Sequence, residues 1–167
     1  MARLFLALWP DAPLRHQLVQ WQNGWRWPRS ATPTRTERLH VTLHFLGEVE
    51  QAALPHLAAS LEVPCEPFEL RFGHNALWHS GLAVLEPLAT PPELIALHAR
   101  LSAAVTGAGL AVDSRPYRPH VTLARRAGKA LIDTVGPPIT WQVSGYALVQ
   151  STPEEGYIVL AQWPGRP

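Results

Sequence analysis

Arg38-Leu39-His40-Val41-Thr42-Leu43-His44 returns eighty residues later as Arg118-Pro119-His120-Val121-Thr122-Leu123-Ala124, with five of the seven positions identical. Valine and leucine alternate with histidine and threonine, the two-residue period of a strand with one apolar and one polar face. Each polar face then carries an imidazole and a hydroxyl about 7 Å apart along the strand. One such strand in each half of the chain predicts an internal duplication. The expected fold is α+β and bilobal: two pseudo-symmetric antiparallel sheets with flanking helices, their motif strands facing a central cleft.

The surrounding pattern supplies the rest of each half. Residues 3–9 read as a buried strand that Pro10 stops. Asp11 caps a helix carrying Leu14, Leu18 and Trp21 or Trp25 on one side, and Asn23-Gly24 ends it. The first motif strand runs from Leu39 to Leu46 and stops at Gly47. A helix is expected over 50–61, with Pro55 in its first turn or bending it. Residues 68–72 alternate as a strand, and 76–78 and 82–85 read as two short strands joined near Ser80-Gly81. Thr90-Pro91-Pro92-Glu93 is a helix start with threonine as the cap. Leu94, Leu97, Leu101, Ala104 and Val105 form that helix's buried stripe, which Gly107 and Gly109 end. The second motif strand spans 120–125. After a loop holding Gly128 and Pro137-Pro138, residues 139–149 and 156–163 read as a closing antiparallel pair.

At 167 residues, with 47% hydrophobic and 16% charged residues, the chain suits one compact domain over 1–167 rather than a disordered segment. A net charge of +1 argues against strong whole-molecule attraction to nucleic acid, leaving room for a local patch. Cys65 is the sole cysteine, which excludes an internal disulfide and a cysteine-rich metal site. The apolar N-terminus is too short for a membrane span and lacks a signal-peptide cleavage region, so a cytoplasmic protein without a membrane is expected; the expected state is a monomer.

Two His-x-Thr faces point to chemistry at an anion. Histidine both donates and accepts a proton near neutral pH. In displacement at phosphorus the entering and leaving oxygens lie roughly in line, so one imidazole can activate water while the other protonates the leaving oxygen. Thr42 and Thr122 offer hydroxyl donors to the phosphate oxygens. No metal or cofactor is required. Packing alone would preserve the valine and leucine positions of the repeat, not the histidine and threonine ones, so His40 and His120 are assigned to a site. Arg125 follows the second motif but lies five residues from His120, on the opposite face of an ideal strand. It reaches a phosphate only if the strand ends or bulges. Residues 25–38 hold Arg26, Arg29, Arg35 and Trp27, which read either as a solvated loop or as a flap contacting an RNA strand. His44 shares the polar face of the first motif strand, but Ala124 is its counterpart, so it stands outside the repeated chemistry. His16, His56, His74, His79 and His98 read as surface or satisfied histidines.

Leu39-His40-Val41-Thr42-Leu43-His44-Phe45-Leu46-Gly47 and Arg118-Pro119-His120-Val121-Thr122-Leu123-Ala124-Arg125 resemble the 2H phosphoesterase superfamily. Within it, the chain is similar to the bacterial and archaeal RNA 2′,3′-cyclic phosphodiesterases, historically called 2′-5′ RNA ligases. The opening Arg3-Leu4-Phe5-Leu6-Ala7-Leu8 fits that group, and the likeness spans essentially the whole chain. The resemblance implies hydrolysis of a 2′,3′-cyclic phosphate on RNA or a small nucleotide to a 2′-phosphate, without metal or nucleotide cofactor. It implies His40 as the acid protonating the 3′ oxygen and His120 as the base activating water. Thr42, Thr122 and Arg125 would contact the phosphate. His44 departs from the small or apolar residue that relatives often carry. Ligation to a 2′-5′ linkage is the reverse reaction on the same residues, and a non-enzymatic module binding RNA ends is a further alternative. A metal site joining His40, His44 and His120 fails on strand rise, which separates residues 40 and 44 by about 13 Å.

Overall fold

The computed structural model describes residues 1–132 and 136–164, so part of the loop expected before residue 139 lies outside the described residues. In chain order the elements are β1 (Ala2–Leu8), α1 (Ala12–Gln22), β2 (Trp25–Arg26), β3 (Thr32–Pro33), β4 (Val41–Val49), α2 (Leu54–Ser60), β5 (Phe68–Leu77), β6 (Ala83–Pro87), α3 (Pro92–Gly107), β7 (Val121–Arg125), β8 (Leu131–Ile132), β9 (Ile139–Val143), β10 (Tyr146–Thr152) and β11 (Gly156–Trp163). The main sheet is antiparallel, in the order β11-β10-β1-β4-β7-β6-β5-β9, with β3 alongside β7.

The duplication is visible in this order. The first half is β11-β10-β1-β4 and the second β7-β6-β5-β9, and each contains a strand-helix-strand unit, β1-α1-β4 and β6-α3-β7. The halves meet at a single pair, Val41 opposite Val121, between the two motif strands. The helices cross over. Trp21 at the end of α1 donates its indole N–H to Asn75 of β5 at 2.7 Å, while α3 packs on β4. Leu14, Leu18 and Trp21 of α1, and Leu94, Leu97, Leu101 and Val105 of α3, are buried between helices and sheet. Each such leucine contributes roughly 1.5–3 kcal/mol by leaving water. Among the described residues no helix is long and apolar enough to cross a membrane.

Several sequence expectations change in detail. β4 does not stop at Gly47: it runs to Val49, and Gly47 takes a φ of 74° where the register against β1 slips between Leu4 and Phe5. Residues 68–77 form one strand rather than two. Thr90 is not the cap of α3, since Pro91 occupies that position without a side-chain hydrogen bond. Residues 139–149 are not one strand either. They divide at Ser144-Gly145 into β9, which pairs with β5, and β10, which pairs with β1 and β11 in the other half. A Cβ at residue 145 would collide with the Trp163 carbonyl, so the turn between halves requires glycine.

The motif strands share a departure from regular pleating. Between the pairs Leu6–His44 and Ala7–Thr42, β4 has one residue too many, Leu43. Between Ala83–Ala124 and Val84–Thr122, β7 has one too many, Leu123. A bulge of this kind leaves the extra residue out of the ladder and re-aims the side chains beyond it. Both strands therefore read buried, half-buried, buried, buried, exposed: Val41, Thr42, Leu43, His44 and Phe45 in one, and Val121, Thr122, Leu123, Ala124 and Arg125 in the other.

Candidate active site

The Val41–Val121 pair sets the geometry. In an antiparallel register centred on that pair, His40 lies next to Thr122 and Thr42 next to His120, so imidazole and hydroxyl come together from opposite motifs. His40 donates its Nδ1–H to the Arg38 carbonyl at 2.6 Å, and His120 does the same to the Arg118 carbonyl at 2.8 Å. With Nδ1 as donor, each Nε2 is the atom free to exchange a proton. The Thr42 hydroxyl donates to Nε2 of His40 at 2.9 Å. Among the described residues, His120 and Thr122 have no matching hydrogen bond.

Each histidine has its own walls. The His40 ring is packed among Phe5 at 4.9 Å, Tyr157 at 5.5 Å and Trp9 at 5.8 Å between centroids. Arg15 lies over Trp9 and donates to the Thr36 and Leu39 carbonyls, both at 2.8 Å, fixing the turn that leads into the motif. Burial lowers the His40 pKa to about 4, helped by the charges of Arg15, His120 and Arg125 and opposed by the Arg38 carbonyl. His120 stands against Trp78, 4.5 Å between centroids. Trp78 donates to Glu86 at 3.3 Å, and Arg118 pairs with the same carboxylate at 2.8 and 3.0 Å while lying over the Trp78 ring. Burial also lowers His120, but the Arg118 carbonyl and the Glu86 carboxylate work against that shift. Burial tends to raise the Glu86 carboxyl itself, and its bonds to Arg118 and Trp78 outweigh that and keep it ionised.

A cavity of about 360 Å³ opens beside the motifs, walled by Thr42, Phe45, Trp78, Tyr117, Arg118 and His120. His40 is not itself part of that wall and connects to it through Thr42. The positive charge of Arg125 reaches both imidazoles, lowering the pKa of each. The bulge at Leu123 is the reason: it removes the five-residue mismatch that put Arg125 on the wrong face of an ideal strand.

The matching bulge in β4 corrects the reading of His44. That residue leaves the polar face and is only 5% exposed, donating from Nε2 to the His98 carbonyl at 3.0 Å. Its ring stacks on His98 at 4.1 Å, and His98 stacks on Tyr117 at 3.9 Å. Tyr117 in turn donates to the Thr42 carbonyl at 2.9 Å. His98 is therefore no ordinary surface histidine; burial lowers its pKa to about 4, with the neighbouring His44 adding to the shift. Turned inward, His44 cannot join His40 and His120 around an ion.

In the 25–38 segment, Arg26, Arg29 and Arg35 are exposed, while Trp27 is half-buried with one face stacked on Trp25 at 5.1 Å. Trp27 thus has one ring face at most to offer a base. The segment borders the second motif, since Thr32 pairs with Arg125. Sequence reasoning did not single out Phe45, Trp78, Tyr117 or Glu86. Phe45 and Trp78 are large aromatics in a motif strand and beside a hairpin tip, a signal that was present; the Glu86–Arg118 pairing joins β6 to the segment leading into its neighbour β7 across 32 residues of sequence and left none.

A family model described as the 2′-5′ RNA ligase superfamily matches residues 10–154. The RNA 2′,3′-cyclic phosphodiesterase of Escherichia coli strain K12 is 32% identical, over 96% of this chain and 95% of the relative. The protein of the same name from Thermus thermophilus is also 32% identical, over 89% and 81%. The crystal structure of a phosphoesterase is similar with a TM-score of 0.86 at 28% identity, covering 97% of each chain. Escherichia coli LigT complexed with 3′-AMP gives 0.82 at 28% identity, again over 97% of each.

Proposed function

The chain belongs to the 2′-5′ RNA ligase superfamily, and from that membership we infer that it is a hydrolase of 2′,3′-cyclic phosphates on RNA or small nucleotides, releasing the 2′-phosphate. The observation that carries the reading is the Val41–Val121 pair, which brings two His-x-Thr faces to one place.

In the mechanism we favour, the cyclic phosphate lies between the motifs with its free oxygens toward Thr42, Thr122 and Arg125. His120 takes a proton from water through Nε2 as the water attacks phosphorus, and His40 protonates the departing 3′ oxygen. Before substrate enters, both imidazoles sit below their ordinary pKa, so both are neutral at neutral pH. The negative charge of a bound phosphate favours imidazolium, supplying the condition under which His40 holds the proton it must give. No step calls on a metal or nucleotide cofactor. Arg26, Arg29, Arg35 and the open side of Trp27 extend this reading to an RNA strand leaving past Arg125. The chain would act as a cytoplasmic monomer with both halves serving one site.

The test is to incubate the protein with RNA ending in a 2′,3′-cyclic phosphate, with and without a second RNA bearing a 5′-hydroxyl. The expected product is the 2′-phosphate in both cases, and a 2′-5′ joined product as the main outcome would reverse the assignment. His40→Ala and His120→Ala should each cost about a thousandfold in turnover with the fold intact. Turnover unchanged by either substitution would take both histidines out of the reaction, and no turnover by the parent would reduce the chain to a binding module.

A further inference from the structure

Gln22 is buried, 7% exposed, and has no part in the proton transfers assigned to His40 and His120. It is the last residue of α1 and continues the buried stripe of Leu14 and Leu18, where an apolar residue would be expected. A buried side-chain amide is costly unless its two N–H groups find acceptors. Here Nε2 donates to the Thr34 carbonyl at 2.9 Å and to the Leu123 carbonyl at 2.8 Å. Leu123 is the extra residue of the β7 bulge, two residues before Arg125. The Thr34 N–H donates to the same Leu123 carbonyl at 2.9 Å, so the bulged carbonyl is held twice, from outside the β6–β7 ladder. Without those donors a buried carbonyl would stand unpaired, and the strand would gain by rejoining a regular ladder. Regular pleating would return Arg125 to the face away from His120.

We propose that Gln22 is a positioning residue for Arg125: its amide fixes the Leu123 carbonyl, which keeps the bulge in β7 and the guanidinium on the phosphate side of the strand. The proposal rests on the reading of His40, His120 and Arg125 as a phosphate site. It also explains why α1 ends in a polar residue that faces the core of the opposite half.

A double-substitution cycle separates positioning from mere support of the fold. Gln22→Met keeps length and volume but removes the donors. Gln22→Met, Arg125→Gln and the combination are compared for inorganic phosphate binding by calorimetry and for kcat/KM on a 2′,3′-cyclic nucleotide, with thermal melts confirming the folded state. Gln22→Met should weaken both readouts about tenfold in the parent and hardly at all when Arg125 is already glutamine. An equal loss in both backgrounds, or unaltered phosphate binding by folded Gln22→Met, overturns the proposal. If Gln22→Met does not fold, Thr34→Pro decides through the same cycle, since it removes the second donor to the Leu123 carbonyl from a half-buried residue just after β3. Phosphate binding that obeys the predicted pattern without any cyclic-phosphate turnover would sink the hydrolase reading and leave the positioning role standing. Turnover with phosphate binding indifferent to these variants would do the reverse.

Discussion

The two halves of the molecule carry the same strand with the same bulge and surround it differently. Among the described residues, His40 sits in a nest of Phe5, Trp9 and Tyr157 with no carboxylate among its electrostatic neighbours, whereas His120 has Trp78 and, through Arg118, the Glu86 carboxylate. The bulge turns Phe45 outward in one half and Arg125 in the other, so equivalent positions present an apolar ring and a cation. The bulges are also braced by different means: a His44–His98–Tyr117 ring stack in one half, and the Gln22 amide with the Thr34 N–H in the other. Duplication has preserved the backbone device that aims the side chains and let its surroundings diverge. Two identical motifs with unlike environments are suited to unlike proton-transfer roles.

Perturbing one half at a time should expose that asymmetry. Arg125→Gln removes the cation that has no equivalent in the first half, and kcat/KM for a cyclic phosphate should fall about a hundredfold. A fall no larger than that of Phe45→Gln, its structural counterpart, would show that the two positions are functionally alike. Glu86→Gln touches only the second half. The carboxylate raises the His120 pKa, so its loss should move the His120 limb of the pH–rate profile to lower pH and cost about threefold in rate. A limb that stays in place would mean Glu86 acts only on Arg118 and Trp78. The smallest effect concerns stability. His98 has a folded pKa of about 4 against an ordinary value of 6.5. As pH drops below about 6.5 the unfolded chain binds a proton that the folded chain refuses, so the contribution is complete above that pH and is lost on acidification toward about 4. His98→Phe, which retains a ring in the stack but cannot titrate, should lose less melting temperature between pH 7 and pH 5 than the parent. Equal losses would place the acid sensitivity elsewhere, His40 being the next group with such a shift.

Much of this was legible in the sequence because it rests on local pattern. The alternation of His40-Val41-Thr42-Leu43 and its repeat identifies both motif strands, and Asp11 announces α1, where its carboxylate accepts from the Leu14 N–H at 2.9 Å. The bulges were not legible. Val-Thr-Leu alternates perfectly, and nothing marks Leu43 or Leu123 as the residue that drops out of the ladder until the partners in β1 and β6 are known. That gap misplaced His44 on the polar face and left Arg125 stranded on the wrong one. Gln22 was readable in principle, as a polar residue at helical spacing from Leu14 and Leu18, though its acceptor lies 101 residues away in sequence. The break at Ser144-Gly145 carried a turn signal, but the change of lobe is a long-range matter of which sheet edge remains unpaired.

The central claim is that the two histidines do different work at one phosphate, and leaving-group dependence tests it most directly. His40→Ala and His120→Ala are each assayed on a 2′,3′-cyclic phosphate and on an aryl phosphodiester whose phenolate departs without needing a proton. If His40 is the acid, His40→Ala should recover most of the parent rate on the aryl ester while His120→Ala remains impaired on both substrates. Recovery by His120→Ala instead would interchange the two roles, and equal impairment of both variants on both substrates would contradict a division of labour between the halves.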